Sequence, residues 1–326
     1  MSDIAPNYET ARQIHAVLVL HFIEGLKQAE IAAKLNLSSS KVNRLIAQGR
    51  KMGMLKIDIE SRFQHLIDFE NRMIEQTSLT DAVITPTASG NPDTTLQQVG
   101  RAAANLLLEN LRDGDVIAIT GGKAISAVVE NLKTDTPRDV TIVPLTGGVQ
   151  GKYFTDVNHL ATQLAERLGG KATLVHAPLF ADSRAQRDML LEVGPVREAF
   201  GIARKADIAL LGIGSIQPTG SSYYDLNPVP EADRKMLVGM GVVAELLAHL
   251  IRDDGVVADY PLNHRLVALD PGSLAGCGRV IGIATGPEKA RPIRAALSGG
   301  YLNALVVDEE TARMVLEMKE NSNNVA

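Results

Sequence analysis

Residues 28–53 read QAEIAAKLNLSSSKVNRLIAQGRKMG, and this stretch decides how the front of the chain folds. Ile31, Ala32 and Leu35 recur at helical spacing, so 28–35 is a short helix with one apolar side. Asn36-Leu37 is a turn. Ser38 stands where a hydroxyl accepts an amide proton from the first turn of a following helix. That helix runs to about Met52, with Val42, Leu45 and Ile46 as its buried stripe, and Gly53 ends it. Lys27, at the cap position of the shorter helix, has no such acceptor, at a cost of a few tenths to about 2 kcal/mol. Upstream, residues 10–26 read as a helix carrying Ile14, Val17, Leu18 and Phe22, stopped by Gly25. Downstream, residues 55–59 alternate apolar and polar, which predicts a short strand. Three helices and a strand make a helix-turn-helix with a small wing.

Charge sets this segment apart. The 326 residues hold 33 Lys and Arg against 38 Asp and Glu, a net charge of −5. Between Lys27 and Lys56 lie seven cations and one anion, Glu30, so the window is +6. The remaining 26 cations and 37 anions give the rest −11. A basic segment on an acidic chain is the footprint of a polyanion-binding module joined to something else; a solvated charged surface is the plainer alternative. In a helix-turn-helix, the second helix enters the major groove N-terminus first. Its non-core residues here are Ser39, Ser40, Lys41, Asn43, Arg44 and Gln48, flanked by Ser38 and by Gln28 on the preceding helix. Asn and Gln pair with adenine, Arg with guanine, and Ser with a base or a phosphate. Operator DNA is therefore the expected partner, with a dimer or higher oligomer needed for useful affinity on paired half-sites.

Composition narrows the rest. Hydrophobic residues make up 45% of the chain, which excludes a disordered protein, and Cys277 is the only cysteine, which excludes an intramolecular disulfide and a Cys-rich zinc site. One cysteine and no secretory signal fit a cytoplasmic location. No apolar run approaches the roughly 20 residues a membrane span needs. A linker helix is expected over about 63–76. From Asp81 onward, apolar runs alternate with helical stretches: strands at 82–85, 116–120, 141–145, 173–177, 208–213, 256–257, 280–284 and 304–307, and helices at 94–111, 124–132, 156–168, 184–204, 233–252, 287–297 and 309–319, before a frayed tail from Glu320. Such alternation predicts an α/β domain with a doubly wound, mostly parallel sheet. The expected organisation is a helix-turn-helix domain at 1–60, a linker helix at 61–80 and an α/β domain at 81–326.

Glycine-rich turns follow three of the strands: Thr120-Gly121-Gly122-Lys123, Thr146-Gly147-Gly148 and Gly212-Ile213-Gly214-Ser215. Ligands of open α/β sheets bind beyond the carboxyl ends of the strands, where glycines let backbone amides approach an oxyanion or hydroxyl. Each turn alone is equally a tight strand-to-helix connection. Lys289, in Gly286-Pro287-Glu288-Lys289, sits in the first turn of a helix, where the dipole disfavours a cation unless an anion binds nearby; a solvated lysine is the alternative. Glu245 lies in an apolar stretch read as helix, where it is either a buried acid needing a ligand or a surface glutamate. No GxGxxG follows the first strand and no GxxxxGK[ST] occurs, so no nucleotide cofactor is expected; there is no HExxH metal spacing, and Ser215 is not in a G-x-S-x-G elbow. No catalytic residue is assigned.

The chain resembles the SorC family of bacterial sugar-binding transcriptional regulators over nearly its whole length. The matching stretches are 28–35, Ser38 with Val42 and Arg44-Leu45, 53–55, 115–117, Pro144-Leu145-Thr146-Gly147-Gly148, 206–214, Gly286-Pro287-Glu288-Lys289-Ala290, 293–297 and 305–309. The resemblance implies an N-terminal DNA-binding module and an effector domain similar to sugar-phosphate isomerases and deaminases of the glucosamine-6-phosphate type. It implies a regulator of a carbohydrate or polyol operon that responds to a small sugar, polyol or sugar phosphate and works as a homodimer or homotetramer. It places the effector at Thr120–Lys123, Thr146–Gly148, Asn158, Gly212–Ser215, Glu245 and Lys289. The first loop departs from the family pattern: Gly121 replaces a Trp, and Ala124 stands where a Thr would offer a hydroxyl to a phosphate. The rival reading keeps the sheet but makes Glu245 or Lys289 catalytic in a sugar-phosphate isomerisation or deamination.

Overall fold

A computed structural model describes residues 8–55, 62–88, 90–149, 156–216 and 230–323. The chain divides into two compact units, Met1–Arg62 and Phe63–Ala326.

In the first unit, α1 (Tyr8–Leu18) runs into a π-helical turn, Val19–Ile23, instead of continuing as one helix. Helices α2 (Gln28–Leu35) and α3 (Ser39–Lys51) follow. Asn36 closes α2 in the left-handed conformation (φ 52, ψ 48), and Leu37 N–H returns to the Ala32 carbonyl at 2.8 Å. Ser38 caps α3 by accepting from Lys41 N–H at 3.2 Å. The weak cap at Lys27 is offset in part because Glu30 reaches back to accept the Lys27 amide at 2.7 Å. Ile14, Val17, Ile31, Val42 and Leu45 form the core. Gly49, in the last turn of α3, is where α3 meets α1: a Cβ there would lie 2.8 Å from Ile14 Cγ2 and Leu18 Cδ1. Helix propensity is given up at this position for close packing. Residues 56–59 of the expected wing strand lie outside the described residues.

The second unit opens with α4 (Gln64–Gln76), expected as a linker. It buries Leu66 and Met73, and Glu70 accepts the Ile84 amide at 2.9 Å, so α4 is part of this unit's core. The sheet has seven strands, β1 (Asp81–Thr85), β2 (Val116–Ile119), β3 (Thr141–Pro144), β4 (Lys171–Ala172), β5 (Ile208–Gly212), β9 (Arg279–Ala284) and β10 (Ala304–Asp308), in the order β1-β10-β9-β5-β2-β3-β4. Every pairing within it is parallel. Side chains alternate between two cores: Ile117, Ile119, Leu210 and Ile283 face α5 (Pro92–Asn110), α6 (Lys123–Asn131) and α7 (Val157–Leu168). Ala118, Ala209, Leu211 and Leu305 face the other core, which holds α4 and α9 (Gly194–Ala203). Later, α11 (Ala290–Ser298) and α12 (Glu309–Asn323) join the α4 side. The chain leaves β2 toward β3 and β4, then returns to β5 on the other side of β2. That reversal is a topological switch point, the place where open α/β sheets hold ligands.

Several expectations are corrected, among them the strand at 256–257, where Val257 makes only an isolated bridge to Ile251. Residues 233–252 are not one helix. Helix α10 (Glu231–Gly239) ends before Gly241 (φ 75), and β7 (Val242–Leu246) and β8 (His249–Arg252) form an antiparallel hairpin with β6 (Gly214–Ser215). The largely apolar run, interrupted only by Glu245 and His249, suits either period, and the left-handed pair Leu247 (φ 51) and Ala248 (φ 63) makes the two-residue hairpin turn. Residues 184–204 break into α8 (Arg184–Glu192) and α9 at the extended Val193, and Pro195, which has no amide to carry one helix through, sits in the first turn of α9 where none is needed. The strand expected at 173–177 pairs earlier, as the two residues of β4. Helix α12 continues through Glu320 to Asn323 rather than fraying at 320.

Candidate functional site

On α3, the residues expected to meet DNA lie on the unburied side. Ser39, Ser40, Asn43 and Arg44 are exposed, and Lys41 and Gln48 partly so; Ser38 is exposed and Gln28 partly buried. Ser40, Asn43, Arg44 and Ala47 fall at i, i+3, i+4 and i+7, so they share one outward stripe. Ser38 is engaged as the cap and touches Ser40 at 3.0 Å. Arg50 turns instead to lie 5.8 Å from the Phe22 ring centroid, an interaction the sequence reading missed.

In the α/β unit, the loops after β2 and β5 are stitched together at the switch point. Gly212 N–H donates to Thr120 Oγ1 at 3.1 Å, and Thr120 N–H donates to the Leu210 carbonyl. Gly122 stands before α6 at φ 112, ψ 165, a conformation open to glycine. It supplies no side-chain cap, so the first amides of α6 face outward with the positive end of the helix dipole, the arrangement that receives an anion. Lys123 opens that helix.

Glu245, on β7, pairs with Gly214 of β6. The carboxylate folds over this glycine, and a Cβ at 214 would collide with it. Ala248 N–H, presented by the left-handed turn, donates to Glu245 Oε1 at 2.5 Å. Burial raises the Glu245 pKa, against the lowering effects of that bond and of Lys289. Lys289 closes a 3-10 turn, Pro287–Lys289, ahead of α11. Burial lowers its pKa, Glu288 and Glu245 raise it, and Lys123 lowers it further. Lys289 therefore interacts electrostatically both with Lys123, at the start of α6, and with Glu245, on β7.

Asp308, at the end of β10, is the positioning residue the sequence reading did not assign. It is 1% exposed. Its carboxylate accepts from Gly286 N–H (3.0 Å), Thr311 N–H and Oγ1, and Thr87 Oγ1, tying the Lys289 loop to β10. Asp308 directly precedes α12 and accepts the amide three residues on, as a capping acid does, but its bonds to Thr87 and Gly286 reach across the sequence.

Other expected contacts are spent elsewhere. Gly147 N–H donates to the Val267 carbonyl at 2.7 Å and Gly148 N–H to Ala177 at 2.9 Å. A Cβ at Gly147 would sit 2.7 Å from the Pro178 carbonyl oxygen, so close backbone approach explains the glycine. The Asn158 carboxamide bridges both backbone groups of Val175, at 2.9 and 3.0 Å. Ser215 is buried on β6. Among the described residues no cluster of His, Cys, Asp and Glu could hold a metal ion, and no helix is long and apolar enough to cross a membrane.

Residues 61–317 match the Sugar-bind family of sugar-binding domains, and residues 15–52 match region 4 of sigma-70. The chain is 30% identical to the erythritol catabolism regulatory protein EryD of Brucella abortus, over 91% of this chain and 94% of the relative. It is 29% identical to the transcriptional regulator LsrR of Escherichia coli, over 93% of this chain and 94% of that protein. The full-length sorbitol operon regulator SorC from Klebsiella pneumoniae superposes with a TM-score of 0.73 at 26% identity, covering 94% of this chain and 99% of SorC. These relatives are transcriptional regulators, not enzymes, which sets aside the isomerase or deaminase reading. The chain belongs to the SorC family of DNA-binding transcriptional regulators, with a helix-turn-helix joined to a sugar-binding domain.

Proposed function

We propose that the crevice at the carboxyl ends of β2, β5 and β9 takes a small phosphorylated sugar or polyol as effector. The observation that carries this reading is the grouping of Lys123, Lys289 and Glu245 beside the uncapped start of α6. Lys123 and Lys289 beside the positive end of α6 favour an anion, the carboxylates near Lys289 being Glu245 and the exposed Glu288, and Glu245 can accept a hydroxyl of the same molecule. Lys123 thus compensates for the hydroxyl missing at Ala124. The exposed stripe of α3 reads an operator, and effector binding changes operator affinity by as much as the effector prefers one conformer over the other. EryD is named for erythritol catabolism and SorC for a sorbitol operon, which supports control of a carbohydrate or polyol catabolic operon. The protein acts in the cytoplasm as a homodimer or homotetramer, since one short recognition helix needs a second half-site. Calorimetric titration with sugar phosphates and the matching free sugars tests the pocket. A phosphate ester binds the wild type, and Lys289→Ala weakens it about tenfold or more; equal affinity in the two proteins would refute the assignment.

A further inference from the structure

The β7–β8 hairpin has a second face. Glu245 pairs with Leu250, and Leu246 with His249. Opposed residues in an antiparallel pair share a face and neighbours alternate, so Glu245 and His249 lie on opposite faces. On the His249 side is a cavity of about 290 Å³, near the lower end of the roughly 300–1,000 Å³ range of small-molecule pockets.

Its chemistry is balanced. His249 is 7% exposed, and its Nδ1 lies 3.0 Å from the Leu247 carbonyl. A carbonyl only accepts, so Nδ1 carries the proton and Nε2 of the neutral ring is an acceptor. Arg187, from α8, brings donors: its buried Nε lies 3.1 Å from the Asp188 carboxylate but without hydrogen-bond alignment. Asp270 adds a carboxylate, one oxygen of which holds the Gly272 amide. At the rim, His264 and Asp259 satisfy each other at 2.8 Å. Val257, Leu266 and Ala268 supply an apolar wall. Inside the cavity one cation, Arg187, faces one carboxylate, Asp270, while the Asp259 carboxylate stands at the exposed rim with His264; the crevice instead sets Lys123 and Lys289 beside the positive end of α6. An anionic ligand would meet Asp270, and a cationic one Arg187. A hydroxyl group both donates to Asp270 or His249 and accepts from Arg187, while the C–H edge of a polyol or sugar ring covers the apolar wall.

We propose that this cavity is a second ligand site, for a small neutral polyhydroxylated molecule, an unphosphorylated sugar or polyol. The site is tied to the back of the crevice. Val267, beside its wall, accepts from Gly147, Leu269 donates to the Leu145 carbonyl, and the turn between the two faces is held by Glu245 at Ala248 and by His249 at Leu247.

Calorimetry on the full chain tests the proposal, with glycerol, erythritol, sorbitol and glucose as neutral probes and glucose 6-phosphate as the anionic one. Two variants are compared, Arg187→Ala and Lys289→Ala. Helix α8 buries none of its residues, so Arg187→Ala is expected to fold, which circular dichroism checks. At least one neutral probe binds the wild type at millimolar concentration, loses about tenfold or more in affinity with Arg187→Ala, and is unchanged by Lys289→Ala. Three results overturn the proposal: no neutral probe binds; the neutral probe is lost with Lys289→Ala and kept with Arg187→Ala, which makes a single crevice; or Arg187→Ala alters only the sedimentation mass, which makes this face an interface. The crevice reading stands or falls separately, on whether a phosphate ester binds the wild type and is weakened by Lys289→Ala.

Discussion

Thr-Gly-Gly occurs twice in this chain at the end of a parallel strand, at 120–122 after β2 and at 146–148 after β3, and the two loops do different work. In the second, both glycine amides are consumed by carbonyls of the chain, and Gly147 exists so that the backbone of Pro178 can approach. In the first, Gly122 takes a backbone conformation that starts a helix with no side-chain cap, and a lysine follows. Identical tripeptides on equivalent strand ends are therefore no evidence of equivalent function. What separates them is where the amides go and whether the next element is a helix opening toward the crevice.

The largest expected effect breaks the comparison from the structural side. Gly147→Ala pushes a Cβ into two backbone carbonyls that cannot rotate away, and is expected to cost about 3 kcal/mol or more in chemical denaturation. Gly122→Ala meets no neighbouring atom; it carries only the backbone strain of about 1–3 kcal/mol, and its clearer signature is loss of phosphate-ester affinity. If Gly122→Ala destabilised more than Gly147→Ala and left binding intact, the roles assigned to the loops would be reversed.

The next effect concerns protonation in the crevice. An anion binds the charged form of Lys289, whose pKa is pushed down by burial. Phosphate monoesters are dianionic above about pH 7, so in that range affinity should fall as pH rises through the depressed lysine pKa, before the ordinary lysine range is reached. Glu245 acts in the same direction, because its raised pKa keeps it protonated, and less repulsive, further up the pH scale than an ordinary glutamate. Lys289→Ala should flatten the alkaline limb; an unchanged limb would show that this lysine does not contact the anion.

The smaller effects lie on α3. Arg44→Ala and Asn43→Ala should each cost about 1–3 kcal/mol of operator discrimination while leaving the melting curve in place. Lys41→Ala should weaken all DNA alike and lower the salt slope by about 1. Footprints unchanged by all three would remove α3 from the interface.

Much of this was legible in the sequence where the determinants are local. The α2–turn–α3 unit follows from Ser38, Asn36 and the spacing of Ile31, Val42 and Leu45, each acting within a few residues. The parallel strands follow from short buried runs between helices. The hairpin at 242–252 was misread because Val242–Ile251 is apolar in both the helical and the strand period, and its turn uses Leu247 and Ala248 where a glycine or asparagine would have marked it. Glu245 and Lys289 each stand out as candidates in the sequence, but the electrostatic link between them depends on strand order. The long-range ties of Asp308 to Thr87 and Gly286, and the bond of Gly147 to Val267, were illegible for the same reason: the partners are distant in sequence or on a segment such as 265–269 that carries no pattern of its own, whereas the bonds of Asp308 to Thr311 are local.

Fluorescence anisotropy of a labelled fragment from the protein's own promoter, titrated with the full chain at increasing ionic strength and then with sugar phosphates, bears most directly on the account. It predicts that log Kd rises linearly with log salt and that at least one phosphate ester shifts operator affinity by about 5–150-fold, a shift abolished by Lys289→Ala. Absence of binding in dilute buffer, or an affinity that no sugar phosphate alters, would contradict it.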